Sequence, residues 1–392
     1  MKYYTVKCDN GNIAVDDTFL VKDMVSSAGS KMLDGFKPLF SAEAVTRLED
    51  KGYKIAGKTN VGEFGLDLAG EFSYYQEKED TLKGAAAELV ASGEVKAALG
   101  VDMNGATRRC AALSGVDFLK PTYGTVSRYG VISCAASGEQ LGVYAKDTSD
   151  IAEIMNVIAG YDEKDGTSLK NESYDYSISG VSGKKVCIVK ELMEKADDET
   201  RTKVNTYAEN LRKNGVTVDE ISLDIFDVAN TAWQILMTAE TCNNVSRYDG
   251  VKYGHRASEY RNIDELYVNS RTEGFNFLTK AVILYGSDVL SKNRYSECYD
   301  KSLKVRRVIA ERFEKIMESY DAVLTPVCSK TAFKRYDIHE AFGKVFKESV
   351  FTALANLIGT PALSSKGVQL LGKHFGESTL LSLANSVEKE GK

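Results

Sequence analysis

The chain of 392 residues is poor in proline, with only 4, and in histidine, with only 3. Few prolines leave little material for stiff linkers between separately folded parts. The histidines His255, His339 and His374 are too dispersed along the chain to predict a metal site. The sequence also lacks an apolar run near the ~20 residues that span a bilayer, and its first residues do not resemble a signal peptide. We therefore expect a cytoplasmic protein that does not associate with a membrane.

Paired cysteines and an excess of positive charge are missing as well. The 7 cysteines are scattered, and no two of them form a C-x-x-C motif, so neither a disulfide framework nor a zinc site is predicted. Lys and Arg number 50 against 56 Asp and Glu, which gives a formal net charge of -6. Proteins that grip nucleic acid by its phosphates need clustered positive charge. We expect no direct nucleic-acid binding, no metal and no cofactor.

Alternating apolar strands and amphipathic helices make up the first 160 residues. Residues 42–51 show helical periodicity, and the strand-like residues 53–56 end at Gly57. Such alternation is typical of a layered α/β protein. Farther along, residues 184–222 predict a strand, a helix and a second strand, embedded in one domain that spans residues 1–392.

The remaining chain is predicted to be mostly helical. Residues 226–320 have helical periodicity, residues 321–326 read as a buried strand, and residues 346–358 as a helix that stops at Gly359. Residues 85–91 also predict a helix, with Asp80 or Thr81 as its N-cap.

Four segments resemble the motifs of the amidase signature family. They are residues 21–23 (VKD), 28–33 (AGSKML), 57–64 (GKTNVGEF) and 119–130 (LKPTYGTVSRYG). Within that family, residues 248–254, 270–275 and 304–306 resemble the A subunits of the glutamyl-tRNA(Gln) and aspartyl-tRNA(Asn) amidotransferases. The resemblance implies the fold of the family, an α/β architecture in which a central, twisted mixed sheet is covered by helices on both faces.

The resemblance also implies where a catalytic triad would lie. Amidases of this family use a nucleophilic serine, a bridging serine that follows a cis peptide bond, and a lysine that acts as base. By our alignment, Lys22 takes the place of the lysine, Leu82 that of the bridging serine and Ala106 that of the nucleophile. Neither an alanine methyl group nor a leucine side chain can attack a carbonyl or relay a proton. Without serine partners, Lys22 is either a surviving base or a cation that neutralises a nearby carboxylate.

Further positions bear on substrate binding. Family members that use glutamine hold its α-carboxylate and α-amine with an arginine and an aspartate, whose places here align with Val282 and Ser349. The amides of Asn104 and Gly105 either form an anion-binding nest of the oxyanion type or make a tight turn that serves only the fold. Thr107 and Cys110 lie close to position 106 and are alternative nucleophiles.

Three functions follow from these residues. The leading prediction is a catalytically inactive homologue that acts as a structural or regulatory partner of the amidotransferase B subunit, of the C subunit or of an intact A subunit. The alternative is a functional A subunit that releases ammonia from glutamine for transamidation of tRNA. A second alternative is a protein that binds a small apolar molecule in the vacated cleft.

Overall fold

The computed structural model describes residues 3–75, 80–170 and 174–390. Its strands, numbered along the chain, are β1 (Tyr4–Lys7), β2 (Ile13–Asp16), β3 (Ile55–Thr59), β4 (Ala97–Asp102), β5 (Asp117–Lys120), β6 (Gln140–Ala145), β7 (Lys185–Val189), β8 (Thr217–Ile221), β9 (Ala322–Pro326), β10 (Ala362–Ser365) and β11 (Val368–Gly372). All of them belong to a single sheet.

The sheet is accompanied by helices, also numbered along the chain. They are α1 (Glu43–Asp50), α2 (Ala85–Ser92), α3 (Ala106–Ser114), α4 (Thr148–Ile158), α5 (Lys190–Lys195), α6 (Asp198–Lys213), α7 (Ile225–Val245), α8 (Ile263–Gly274), α9 (Phe277–Val289), α10 (Lys301–Met317), α11 (Ala341–Glu348), α12 (Ala353–Ile358) and α13 (Glu377–Glu390). In the part of the chain described here, no helix is both long enough and apolar enough to cross a bilayer.

The sheet is mixed, as the sequence predicts. Its strand order is β1-β3-β2-β4-β6-β5-β10-β11-β9-β7-β8. Strand β2 runs parallel to both β3 and β4, while β4 pairs with β6 in the antiparallel sense. At the other side, β7 runs parallel to β8 and β9. The predicted fold class, a mixed sheet flanked by helices, is confirmed.

Helices cover both faces of this sheet because its strands are apolar on both sides. Successive residues of a strand point to opposite faces. In β2, Ile13 and Val15 pack into one hydrophobic cluster with α1 and α4, and Ala14 packs into another with α2. Each fully buried valine or leucine side chain stabilises the fold by about 1.5–3 kcal/mol relative to an exposed one. The strands therefore read as continuous apolar runs, as expected of a sheet that is buried on both faces.

Most helices lie where the sequence predicts them, and the differences have local causes. The predicted helix at residues 346–358 is divided into α11 and α12 by a 3₁₀ turn at Ser349–Phe351. Helix α2 begins after Gly84 without a side-chain cap, so the prediction of Asp80 or Thr81 as its N-cap is wrong. Along the chain, α5 and α6 lie between β7 and β8. Strand β7 joins the common sheet by pairing with β9. The division of the chain into one domain with an embedded unit stays a prediction.

Helix α3 is held between two glycines that both have positive φ. Gly105 precedes it with φ of 80°, and Gly115 follows it with φ of 71°. A Cβ on Gly105 would lie 2.3 Å from Cβ of Thr352, whereas one on Gly115 would meet nothing within 4 Å. The turn from β4 into α3 thus needs glycine at position 105 for two reasons. Its φ angle is positive, and it lies in close contact with Thr352, the residue that precedes α12.

This pair of glycines gives a matched test. Gly115→Ala should lower the free energy of unfolding by about 1–2 kcal/mol, the cost of the left-handed conformation. Gly105→Ala should lower it by about a further 1–3 kcal/mol, because the new methyl group overlaps with Thr352. Urea unfolding of both variants measures the difference. Equal losses in the two variants would show that the contact with Thr352 does not constrain the turn.

Candidate functional site

A cavity opens where the parallel strands β2, β3 and β4 end. The carboxyl ends of parallel strands meet at one edge of a sheet, which is where α/β proteins place ligands. The space within it, including the part that is open to solvent, is about 590 Å³. Its lining includes Asp16 at the end of β2, Asn60 after β3, and Ala106 and Thr107 at the start of α3. Tyr144 of β6 and the loop at residues 60–70 complete much of the wall.

A buried ion pair fixes the start of α3 at this edge. Asp102, the last residue of β4, accepts hydrogen bonds from Arg108 Nε at 2.8 Å and from Arg108 Nη2 at 3.0 Å. Arg108 also donates to Gln369 Oε1 at 2.6 Å and to Asn356 Oδ1 at 2.6 Å. Burial alone would raise the pKa of the Asp102 carboxyl, but the Arg108 charge and the hydrogen bonds hold it well below its usual range. Asp102 is therefore a permanent anion and a poor base.

Asp16 differs from Asp102 because its pKa is raised and not lowered. Its Oδ1 accepts a hydrogen bond from Thr59 Oγ1 at 3.2 Å, and its Oδ2 accepts one from the Val101 amide at 3.2 Å. Burial raises the pKa of Asp16 to about 7, although these two hydrogen bonds favour the charged form. A Cβ built on Gly100 would lie 3.0 Å from Asp16 Oδ2 and 3.2 Å from Thr107 Cγ2. Asp16 and Thr107 are therefore neighbours, and a carboxyl that titrates near neutral pH is suited to proton transfer.

The structure brings only some of the predicted site residues to the cavity. Ala106, which aligns with the nucleophile of the family, is part of the cavity lining. Leu82 is buried nearby among the apolar residues that pack around α2 and does not line the cavity. The Thr81–Leu82 peptide bond is trans.

Lys22 lies elsewhere. Its side chain is exposed, its backbone amide donates to Ser41 Oγ at 3.0 Å, and it is not part of the cavity lining. The residue that ends β2 at the cavity is Asp16. The assignment of Lys22 to the site is therefore corrected, because the ladder of β2 with β3 and β4 runs through residues 13–16 and places Asp16 at that edge.

Val282 and Ser349 are also outside the cavity. Val282 is buried in α9 among the apolar residues that face α7. Ser349 is buried and donates its hydroxyl to the Val345 carbonyl at 2.7 Å. Both side chains thus contribute to packing, and neither is placed to bind a ligand in this cavity.

The pair Asn104 and Gly105 forms a turn in which several polar groups are hydrogen-bonded, whereas the side-chain amide nitrogen of Asn104 is buried without a partner. The Gly105 amide donates to Asp102 Oδ1 at 3.2 Å. Asn104 Oδ1 accepts from Gln234 Nε2 at 3.1 Å, and its carbonyl accepts from Thr352 Oγ1 at 3.1 Å. Since the Gly105 amide already faces a carboxylate, the geometry favours the second of the two alternatives, a turn that serves the fold, over an oxyanion-type nest.

Sequence reasoning missed Asp16, and a signal for it exists. A short apolar run, residues 13–15, leads directly into the Asp16–Asp17 pair, which is the pattern of a buried strand with polar groups at its carboxyl end. Of the alternative nucleophiles considered, both Thr107 and Cys110 do line the cavity. Burial raises the pKa of the Cys110 thiol well above its usual value, so this group stays protonated and is a weak nucleophile. In the described ranges, no group of three or more His, Cys, Asp or Glu side chains is arranged to hold a metal ion.

Comparison with known proteins places these features in a family. The family model described as Amidase matches residues 12–381. The glutamyl-tRNA(Gln) amidotransferase A subunit of Halothermothrix orenii is 35% identical over 400 residues, which cover 96% of this chain and 84% of the relative. The protein of the same name from Lachnoclostridium phytofermentans is 36% identical over 407 residues, covering 96% of this chain and 82% of its own.

Solved structures agree with this placement. The glutamyl-tRNA(Gln) amidotransferase A subunit of Thermotoga maritima superposes with a TM-score of 0.81 at 27% identity, covering 99% of this chain and 87% of its own. The peptide amidase of Stenotrophomonas maltophilia has a TM-score of 0.79 at 21% identity and covers 97% and 82% of the two chains. At that identity it shows the shared fold alone.

These comparisons contradict the leading prediction of a catalytically inactive partner. The relatives carry the name of the amidotransferase subunit itself, and the identity to them extends over nearly the whole chain. Nothing in the comparisons supports a separate inactive class. The alternative prediction, that of an amidotransferase A subunit, fits them better.

The raised pKa of Asp16 makes a prediction about stability. The folded-state pKa of about 7 lies above the value of about 3.9 expected in the unfolded chain, so Asp16 destabilises the fold progressively as the pH rises from about 4 to 7. Asp16→Asn removes this effect while leaving an oxygen that accepts a hydrogen bond. The stability of the variant relative to the natural protein should therefore be greater at pH 8 than at pH 5, by about 2–3 kcal/mol in the free energy of unfolding. Urea unfolding at the two pH values measures this, and a difference that does not change with pH would contradict the burial of a titrating carboxyl.

Proposed function

The chain belongs to the amidase family, and we propose on this premise that it works as the A subunit of a glutamyl-tRNA(Gln) amidotransferase. It would release ammonia from the side-chain amide of glutamine for transfer to glutamate carried by tRNA. The observation that carries the proposal is the identity of 35% to a protein of that name over 96% of the chain. This role implies partners, so we expect the chain to associate with B subunits, C subunits or both.

The attack on the amide needs a group other than residue 106. Ala106 offers only a methyl group to the cavity, and Cys110 is held as a thiol by its burial. The remaining candidate is the hydroxyl of Thr107, which lines the cavity and donates to Asp102 Oδ2 at 2.7 Å. We take Thr107 as the nucleophile of this proposal.

Asp16 is the base that suits this nucleophile. Asp102, the present hydrogen-bond acceptor of Thr107, is held too acidic to take up a proton. The methyl group of Thr107 lies on the side of Asp16, and a rotation of about 120° between staggered rotamers would put the hydroxyl there instead. Because its pKa is about 7, Asp16 is partly ionised at neutral pH and can accept the proton.

The proposed reaction then balances in two steps. Thr107 Oγ1 bonds to the amide carbon and gives its proton to Asp16, which passes a proton to the departing nitrogen, so that ammonia leaves and an ester remains. Water then adds to the ester carbon, the bond to Thr107 Oγ1 breaks, and the hydroxyl regains a proton through Asp16. The products are glutamate and ammonia, and no oxidant or cofactor is consumed.

The ionisable side chains that would surround the substrate in the cavity include carboxyl groups but, among the described residues, no cations. The residues that line the cavity include Asp16, Asp67 and Glu139 but, within the described ranges, no lysine, arginine or histidine. Carboxylates suit the α-ammonium group of glutamine, while its α-carboxylate finds no cation among the described lining residues. The carboxylate of the donor must therefore face the open mouth of the cavity or a group supplied by a partner protein.

The test uses the assembled enzyme purified gently from its own cell. We expect other amidotransferase subunits to co-purify, ammonia to be released from glutamine, and Thr107→Val to lower that rate by on the order of 10⁴-fold or more, as expected for loss of a nucleophile. Cys110→Ala is the matched control from the same helix and should keep the rate. An electrophilic glutamine analogue should label Thr107, and mass spectrometry of the peptides identifies the adduct.

Two outcomes would count against different parts of the proposal. Activity that persists in Thr107→Val, with an adduct elsewhere, would overturn the choice of nucleophile and leave the function standing. An assembly that neither releases ammonia nor forms an adduct at any residue would overturn the function itself.

A further inference from the structure

The cavity concentrates negative charge in a place where burial makes it costly. Three carboxyl side chains line it, and the described lining contains no cationic side chain. Carboxylates that are kept away from water are normally paired with a cation or hydrogen-bonded on all sides. The contacts of each carboxylate therefore show whether one of them is left for a ligand.

Only one of the three carboxylates, that of Glu139, has an ion pair among the described residues. Glu139 forms an ion pair with Arg128 at 3.1 Å and accepts the backbone amide of Cys134 at 3.0 Å. Asp67 accepts the amides of Gly70 at 2.9 Å and Phe72 at 2.8 Å, one on each oxygen. Glu139 is thus paired with a cation, whereas burial and the neighbouring Glu71 raise the pKa of Asp67 to about 8, so that Asp67 is mostly protonated at pH 7.

Asp16, like Asp67, has no ion pair among the described residues, but its hydrogen bonds are longer than those of Asp67. Its two hydrogen bonds are both 3.2 Å long. The nearest cation, Lys58, is committed to Asp17 at 2.8 Å and to the Val25 carbonyl at 3.1 Å. Asp16 therefore presents a carboxylate to the cavity that the protein itself does not neutralise.

Thr18 supplies a second, independent sign of a missing partner. It lines the same cavity, its side chain is 5% exposed, and its hydroxyl oxygen is buried without any hydrogen-bond partner. An orphaned buried hydroxyl costs about 1–3 kcal/mol, so native proteins rarely leave one unsatisfied. A carboxylate and a free hydroxyl oxygen on one wall both accept hydrogen bonds.

We propose that this cavity binds a small cation that carries N–H donors, either an ammonium ion or the head group of a small primary amine, through the Asp16 carboxylate and the Thr18 hydroxyl. Several N–H donors on one small cation match a carboxylate and an unpartnered hydroxyl of two residues that line the cavity. The carboxylate of an amino acid would not be matched, since no cation lines the described wall. The proposal goes beyond the proposed function, because binding requires neither glutamine nor an attacking group.

The charged surroundings of Asp16 are compatible with this role. The groups that face it are Asp17 and Lys58, which neutralise each other, and the protonated Cys110 and Tyr144, whose pKa values burial raises well above their ordinary values. At pH 8 Asp16 is mostly ionised, since its pKa is about 7. A bound cation would then offset the cost of burying its charge.

The experiment measures the melting temperature of the full chain at pH 8 in chloride salts of equal ionic strength. The probes are ammonium and methylammonium, and the reference cations are potassium, which resembles ammonium in size but has no N–H, and tetramethylammonium, which has neither the size nor the donors. We expect ammonium to raise the melting temperature by about 2–4 °C over tetramethylammonium in a saturable way, and potassium to have no such effect. A rise with methylammonium as well would assign the site to primary amines in general, and a rise with ammonium alone would assign it to the free ion.

Three variants locate the binding. Asp16→Asn and Thr18→Val should each weaken ammonium binding by about tenfold or more, and the exposed Asp9→Asn is the matched control that should not. Thr18→Val keeps the shape of the side chain and decides the question if Asp16→Asn does not fold. Equal stabilisation by potassium and ammonium, or an ammonium effect that survives both cavity variants, would overturn the proposal. Because no glutamine is present, these results are independent of whether the assembled enzyme releases ammonia.

Discussion

The ion pair between Asp102 and Arg108 is the interaction on which the site depends. Both side chains are fully buried, and Arg108 connects the end of β4 to Gln369 of β11 and Asn356 of α12. Removing one partner of a buried pair typically costs about 3–5 kcal/mol, because the other charge is left uncompensated. The pair therefore fixes where α3 begins, and with it the positions of residues 105–107 after the carboxyl end of β4.

This arrangement explains how position 106 can differ from the family motif without a change of shape. The turn is held by Gly105, which packs against Thr352, and by the carboxylate of Asp102, which accepts the Gly105 amide. None of these contacts involves the side chain at position 106. A serine or an alanine there would be held in the same place, so the sequence at this position bears on chemistry and not on the fold.

The fold could be predicted from the sequence, and part of the site could not. Strong periodicity and long family motifs predicted the mixed sheet and helices such as α6, because their pattern of apolar residues is local in the sequence. The lysine of the family was aligned with Lys22 because a Lys–Asp pair stands there. The apolar run before Asp16 indicates the end of a strand, but it is the pairing of residues 13–15 with residues 97–99 that brings Asp16 to the cavity, while Lys22 is exposed to solvent.

The ionisation of the site was also beyond the reach of sequence patterns. Asp16 and Asp102 are both aspartates at the ends of neighbouring strands, yet burial raises the pKa of one while an arginine lowers the pKa of the other. The difference depends on Arg108, which reaches Asp102 and not Asp16. When two carboxyl groups have widely different pKa values, they can be assigned different roles although the residues are identical. Here Asp102 organises the backbone, and Asp16 is left to exchange protons or to accept a cation.

The same ionised Asp16 carries both proposals, and this links them physically. A carboxylate acts as base only when it is unprotonated, and it attracts an ammonium ion in that state too. Beside the cavity, Lys58 forms its ion pair with Asp17 and not with Asp16. An amine group in the cavity would lower the pKa of Asp16, while an empty cavity leaves the carboxyl half protonated near pH 7. The charge state of the site is thus set by what occupies it, and a lysine at the end of β2 would instead bring its own positive charge to the same position.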